Sequence, residues 1–259
     1  MPWQTPRTAW GPSNGVRDDD LNRIEGNTQY LYDNINTLAQ HVDDSLFALS
    51  QRADIGDLPL GAEFALYENG VLVPYLKIGA NYENTGRALV VRKNSYAEGA
   101  LQEGSVGQYA NSRVDAFLNN EFINVLDTAV RAVLTDTPID VHNGLTVGTI
   151  SRKIFLLSRT EYNFSGGQVE GDIQYYFTNP DRRIARYDGF AYEHWTRTIM
   201  LSQEEAVYVT NTGALGTGNP VVFRAGIRPA FTLPTSFEVV AGVPATSNIL
   251  ANAEVIYSE

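Results

Sequence analysis

The stretch from Thr160 to about Asp188 carries five carboxylates, Glu161, Glu170, Asp172, Asp181 and Asp188. Two carboxyl groups at a suitable separation suffice for glycoside hydrolysis, one as acid and one as base or nucleophile. The chain holds 30 acidic residues, however, so such pairs arise from composition alone. A hydroxyl nucleophile needs an oriented base, and no G-x-S-x-G elbow accompanies His142 or His194. His142-Asn143-Gly144 reads as a turn, and His194 beside Trp195 as a packing residue. The glycine-rich run Gly213-Ala214-Leu215-Gly216-Thr217-Gly218 is followed by Pro220 and a strand-like segment. A phosphate cradle needs a helix there, and a flexible hairpin loop is expected instead. With no cysteine and three histidines, thiolate zinc sites, iron–sulfur clusters and most imidazole cages are excluded. No D-x-[DN]-x-[DN]-G series offers calcium its oxygens, so neither metal nor cofactor is expected.

The same stretch is better suited to binding than to catalysis. Tyr175, Tyr176, Asn179, Arg182, Arg183 and Tyr187 form the candidate ligand-binding surface, because Tyr and Arg combine large contact area with directed hydrogen bonds. The chain has 259 residues, 14 of them Tyr, and only 19% are charged. A lightly charged, tyrosine-rich composition favours display. The formal net charge of -11 and the absence of a basic run argue against nucleic-acid binding, which draws its affinity from Lys and Arg on phosphates. No apolar window is long enough to insert in a membrane, and the N-terminus has no apolar signal-peptide core, so synthesis in a cytoplasm is expected.

These residues must be positioned by a scaffold whose class is α+β, with a mainly antiparallel sheet. Glu63–Tyr67 and Val71–Lys77 read as a hairpin closed at Asn69-Gly70, the pair a type I′ turn demands. Pro74 places its part of the second strand at an edge or bulge. Further strands are predicted at Arg87–Arg92, Lys153–Ser158, Thr196–Leu201, Ala206–Thr210, Pro220–Arg224 and Gly226–Leu233. The run Ser112 to Leu134 reads as helical with a serine cap ahead of it, in a head of short antiparallel strands, two helices and long loops. Residues from Thr160 to about Asp188 form a long loop, a feature that in a compact domain is usually functional or disordered.

Ahead of this domain, Asp18, Asp19 and Asp20 mark the start of a helix, where negative charge is favoured. Its apolar residues other than Leu46 fall on a seven-residue grid, seven of whose nine positions are apolar: Leu21, Thr28, Ile35, Val42 and Leu49 at one site, Ile24, Leu31, Leu38 and Ser45 at the other. A repeat of about 3.5 residues held over four heptads predicts a left-handed coiled coil. The flanking places hold Glu25, Tyr32, Ala39 and Leu46 on one side and Asn27, Asn34, His41 and Ala48 on the other, a stripe wider than a dimer needs. A homotrimer or higher bundle is expected, with the helix folding back on its own domain as the alternative. The layout is then an extended arm at 1–17, a coiled-coil helix at 18–53, a head at 54–241 and a tail at 242–259.

Two stretches resemble known families. The segment from Trp10 to Leu31, centred on Asp20-Leu21-Asn22-Arg23-Ile24-Glu25-Gly26-Asn27, is similar to the start of tail and baseplate-associated proteins of phages of Gram-positive bacteria. From about Leu58 to Val240 the chain resembles an uncharacterised bacterial and phage domain family of the C-type-lectin-like fold, related in architecture to formylglycine-generating enzymes. The resemblance rests on Ser112-Arg113-Val114-Asp115-Ala116-Phe117-Leu118-Asn119 with Phe122, on Ile154-Phe155-Leu156-Leu157-Ser158, on His194-Trp195-Thr196-Arg197-Thr198, and on Gly226-Ile227-Arg228-Pro229-Ala230-Phe231. Formylglycine-generating enzymes use cysteines, and this chain has none, so their oxidase chemistry does not carry over. Trp195, Arg197, Arg228 and Pro229 are assigned to the fold.

The resemblance implies a non-enzymatic virion structural protein, a short tail fibre or baseplate component. Residues 1–30 would attach it to other virion proteins, and the head would bind a host surface glycan or protein, or a virion partner. A collar or head-decoration protein without a receptor, and a glycan-cleaving tail enzyme, are the alternatives.

Overall fold

The computed structural model describes residues 18–104, 107–142, 146–200 and 205–242, apart from the side chains of 18–20, 44 and 47–49. The chain divides into two units, Met1–Ser50 and Gln51–Glu259. In the first, helix α1 spans Asp18–Ser50. The second is a mixed α+β domain built mostly of strands. The boundary falls a few residues before the expected one, because Arg52–Asp54 is not the end of the helix but strand β1, hydrogen-bonded to the last strand of the domain.

Along α1, the grid residues Leu21, Ile24, Leu31, Ile35, Leu38 and Val42 are between 48% and 64% exposed. Leu49 lies outside the described side chains. The two polar grid positions turn their hydroxyls onto their own helix: Thr28 Oγ1 donates to the Ile24 carbonyl at 2.8 Å and Ser45 Oγ to the His41 carbonyl at 2.7 Å. A Ser or Thr that bonds the carbonyl four residues back spends its donor locally, so the stripe presents little that demands water.

In the second unit, β2 (Glu63–Glu68), β3 (Val71–Gly79), β4 (Arg87–Arg92) and β5 (Ala97–Gly99) precede helices α2 (Arg113–Asn120) and α3 (Thr128–Val133). After them come β6 (Thr137–His142), β7 (Val147–Arg152) and β8 (Ile154–Phe155). The chain then continues with β9 (Ala185–Tyr187), β10 (Phe190–Tyr192), β11 (His194–Ile199) and β12 (Ala206–Val209). It closes with β13 (Leu215–Gly218), β14 (Ala225–Ile227), β15 (Ala230–Pro234) and β16 (Glu238–Ala241). A seven-stranded sheet runs β1-β16-β2-β3-β4-β15-β8 and a five-stranded one β13-β12-β11-β14-β5, with two hairpins, β6–β7 and β9–β10, beside them. All described pairings are antiparallel except β11 with β14.

The β2–β3 hairpin turns at Asn69 and Gly70 with φ of 47° and 81°, as the Asn-Gly pair requires. Its second strand is central in the sheet from Tyr75 onward, while the part before it, with Pro74, pairs in register with β2 alone. The proline is tolerated because the β3–β4 register begins one residue later, at Tyr75 opposite Arg92, while the Pro74 carbonyl accepts from the Lys93 amide.

The helical region over 112–134 holds two short α-helices. Ser112 does cap the first, its side chain accepting from the Asp115 amide, but Asp127 adopts ψ 151° and caps a new helix by accepting from Ala129. Two strong caps inside one apolar pattern split it. The strand predicted over 226–233 is likewise divided at Arg228-Pro229 into β14 and β15. The expected 220–224 strand is absent among the described strands, and β13 takes its place inside the glycine-rich run. Gly216 explains this: a Cβ there would stand 2.5 Å from the Tyr208 ring on β12, so only glycine lets β13 pair beneath the tyrosine.

Phe64, Tyr75, Phe155 and Phe231 pack in one core with Val90, Leu118 and Trp195, all essentially unexposed. Each such side chain contributes about 1.5–3 kcal/mol on leaving water. Two ion pairs are buried with them: Arg92 with Glu68, and Arg197 with Glu161.

Candidate functional site

The long segment between β8 and β9 is held by the second of these pairs. Arg197 on β11 donates from Nη1 to Glu161 Oε2 at 2.6 Å and from Nη2 to Glu161 Oε1 at 2.9 Å. Its Nε reaches the Asp140 carbonyl and its Nη1 also the Leu156 carbonyl. Tyr82 donates its hydroxyl to the same Glu161 at 2.5 Å, and the Ser158 amide donates to it at 2.7 Å. A planar guanidinium clamping a carboxylate in this way fixes orientation as well as charge. Beside it, fully buried Glu170 accepts from the His142 amide at 2.8 Å and from the Thr198 hydroxyl. Burial holds the Glu170 carboxyl above the ordinary carboxylate range, against the opposing pull of Arg197.

On this base the chain forms a cavity of about 620 Å³ between the end of β3 with the turn that follows it and residues 169–175, with Leu60 at its margin. Two glycines allow the close approach. A Cβ on Gly79 would lie 2.9 Å from Gln174 Oε1, and one on Gly171, at φ +79°, would lie 2.9 Å from Glu161 Oε1 and 3.3 Å from Glu83 Oε1. Glu83 itself sits in a turn at φ 46°, with Asn84 at 56°, both in the left-handed region. Its Oε1 is buried and has no hydrogen-bond partner among the described residues. Burial, then the charges of Asp172, Glu161 and Asp140, push the Glu83 carboxyl upward, and Arg197 only partly offsets them. The charged residues lining the cavity are Glu83 and Asp172, and its apolar wall includes Leu60, Ile78, Val169 and Ile173.

The six residues of the expected binding surface divide. Tyr175 is 78% exposed and lines the cavity. Tyr176 packs against Gly61 with Arg182 over its ring at 5.2 Å. Asn179 is a cap, its side chain accepting from the Asp181 amide. Arg183 is not a surface residue: at 8% exposure it donates to the carbonyls of Phe177, Gly213 and Asn163 and lies over the Phe164 ring, tying the loop down. Tyr187 stands apart from the cavity lining, on β9 against Tyr192. Of the five carboxylates considered for catalysis, Glu161 and Glu170 are occupied in the interior and Asp172 alone lines the cavity. Its partner there, Glu83, carried no signal beyond the turn composition of Asn81-Tyr82-Glu83-Asn84-Thr85-Gly86.

The residues assigned to the fold are buried as expected. His194 lies edge-on to Tyr162 at 5.3 Å, and Trp195 donates to the Gly99 carbonyl. Arg228 donates to the carbonyls of Arg92 and Arg183. His142 is not in a turn but ends β6, and residues 143–145 lie outside the described ones, as do the arm at 1–17 and the tail from 243. Among the described residues no group of His, Cys, Asp or Glu has the arrangement of a metal site, and no helix is long and apolar enough to cross a membrane.

Most of this domain, though only one wall of its cavity, falls within a family match. Residues 85–235 match DUF6273, a domain of unknown function, and since this is more than half of the chain, the protein belongs to that family. The match takes in β4 through β15, both short helices and the 169–175 wall of the cavity; the Leu60–Glu83 wall lies outside it. No curated protein and no solved structure matches the chain.

Proposed function

We propose that this chain is a non-enzymatic virion structural protein, a short tail fibre or baseplate component. In this reading α1 self-associates as a trimeric coiled coil, and the β-rich domain, of the C-type-lectin-like kind its motifs resemble, is displayed for binding a host surface or a virion partner. Residues 1–30 attach it to other tail or baseplate proteins.

The observation that carries the reading is the heptad stripe of α1. Six described grid residues are about half exposed, and the two polar grid positions have their hydroxyls bonded to their own helix. Burying such a stripe in a helix bundle removes apolar surface at about 25 cal/mol per Å² and leaves neither hydroxyl without a partner. Tyr32 and Leu46, both exposed beside the seam, widen it beyond a two-stranded contact. Three heads on one stalk then turn weak individual sites into firm attachment.

Sedimentation with host cell walls tests the display role. Retention of the chain on the walls supports it. Incorporation into tail particles without retention on walls leaves a purely architectural collar or decoration role. A second reading is favoured by the raised Glu83 carboxyl next to Asp172 in a cavity, an arrangement suited to acid–base cleavage of a glycan. Release of reducing ends from host polysaccharide would establish it.

A further inference from the structure

We propose that the cavity between the β3 end and residues 169–175 is a binding site for a primary ammonium group on an aliphatic stem, the chemistry of a lysine side chain. The inference rests on the display reading above only in taking this face as a contact surface.

Four observations define the ligand. The cavity, at about 620 Å³, falls within the ordinary size of ligand sites. Its ionisable lining of one sign, Glu83 and Asp172, selects a cation. One acceptor among the described residues is left open to it. Glu83 Oε1 is itself buried, so Glu83 acts on a ligand through its charge, whereas Gln174 presents a free oxygen. Gln174, more than nine-tenths buried, spends its Nε2 on the Asp172 carbonyl, while its Oε1 accepts no hydrogen bond among the described residues. An ammonium supplies its donors from a point charge, matching a single acceptor better than a planar guanidinium does. Finally, Leu60, Ile78, Val169 and Ile173 offer apolar wall for the methylenes of such a stem.

The charges facing Glu83 agree. Asp172, Glu161 and Asp140 disfavour its ionisation and Arg197 favours it, so an arriving cation would relieve a surplus of negative charge. Because Glu83 titrates above the ordinary carboxylate range, affinity falls as pH drops through that raised value and the carboxylate is protonated.

The experiment uses the full chain with its isoleucine δ1 methyls labelled, titrated with Nα-acetyl-lysine methylamide and, in parallel, with Nα-acetyl-norleucine methylamide, which keeps the stem and lacks the charge. The lysine probe is expected to shift the Ile78 and Ile173 methyl signals and to bind about tenfold more tightly than norleucine, with Glu83→Gln and Asp172→Asn each removing most of that difference. Equal binding of the two probes, no shift with either, or full binding by the folded double variant would each overturn the assignment. Lysine-probe binding by a monomeric chain would leave the site standing and remove the trimeric display; a trimer blind to the probe would do the reverse.

Discussion

Arg197 and Glu161 face each other through two hydrogen bonds of 2.6 and 2.9 Å, and neither side chain has any exposed surface. The pair joins β11 to the first turn of the long loop segment, and Tyr82, next to Glu83, donates to the same carboxylate. The loop wall and the turn wall of the cavity are therefore fastened to one buried charge pair.

Replacing Arg197 by Met leaves Glu161 buried without its counter-charge. Removing one partner of a buried pair costs about 3–5 kcal/mol. Urea unfolding of Arg197→Met followed by tryptophan fluorescence should show that loss in the head transition, reporting on Trp195 in the same strand.

Gly171→Ala meets two obstacles, a φ of +79° and a Cβ placed 2.9 Å from Glu161 Oε1. The left-handed backbone alone costs an alanine about 1–2 kcal/mol. A lowered melting temperature is expected, together with loss of lysine-probe binding, whereas Gly70→Ala, with open space around its Cβ, should lower the melting temperature and spare binding.

The pH dependence has a definite sign. Glu83 and Glu170 both have folded pKa values raised above the ordinary carboxylate value of 4.5, chiefly by burial. The folded state thus holds their protons more tightly than the unfolded chain, so their contribution is fully present below about pH 4.5 and is lost as pH rises through the raised values. Glu170→Gln keeps an acceptor for the His142 amide without the charge. Denaturant titrations across pH 4 to 8, a range set by about the usual carboxylate and neutral limits, should show the variant equal or superior in stability at the upper end, with a flatter profile than wild type.

Much of this was legible in residue types with local consequences. Asn69-Gly70 dictates its turn, Ser112 its cap, and the Arg of Arg197 and Arg228 their burial against carboxylate and carbonyls. What escaped depended on partners far along the chain. Strand β1 exists because Arg52–Asp54 meets Glu238–Val240, and three residues with a long-range partner leave no periodicity to read. Gly216 looked like loop chemistry, but Tyr208 makes it a strand residue. Arg183 sits in a polar loop sequence and is nonetheless buried, since only the folded loop brings three carbonyls to it. Glu83 becomes a site residue through a turn conformation, which its identity does not announce.

Ile35→Asn places an amide at a grid position of α1 where the apolar stripe is most exposed. A polar residue at an inward position of a bundle weakens or redirects assembly. Analytical ultracentrifugation should find the variant shifted toward single chains, with the melting of the second unit, Gln51–Glu259, unchanged.

Static light scattering of the full chain at micromolar concentration tests self-association through α1 most directly. The expected mass is three times the 28.6 kDa of one chain, falling to a single chain's mass when residues 1–50 are removed. A mass of 28.6 kDa for the intact chain would contradict the coiled-coil display on which the proposed function stands.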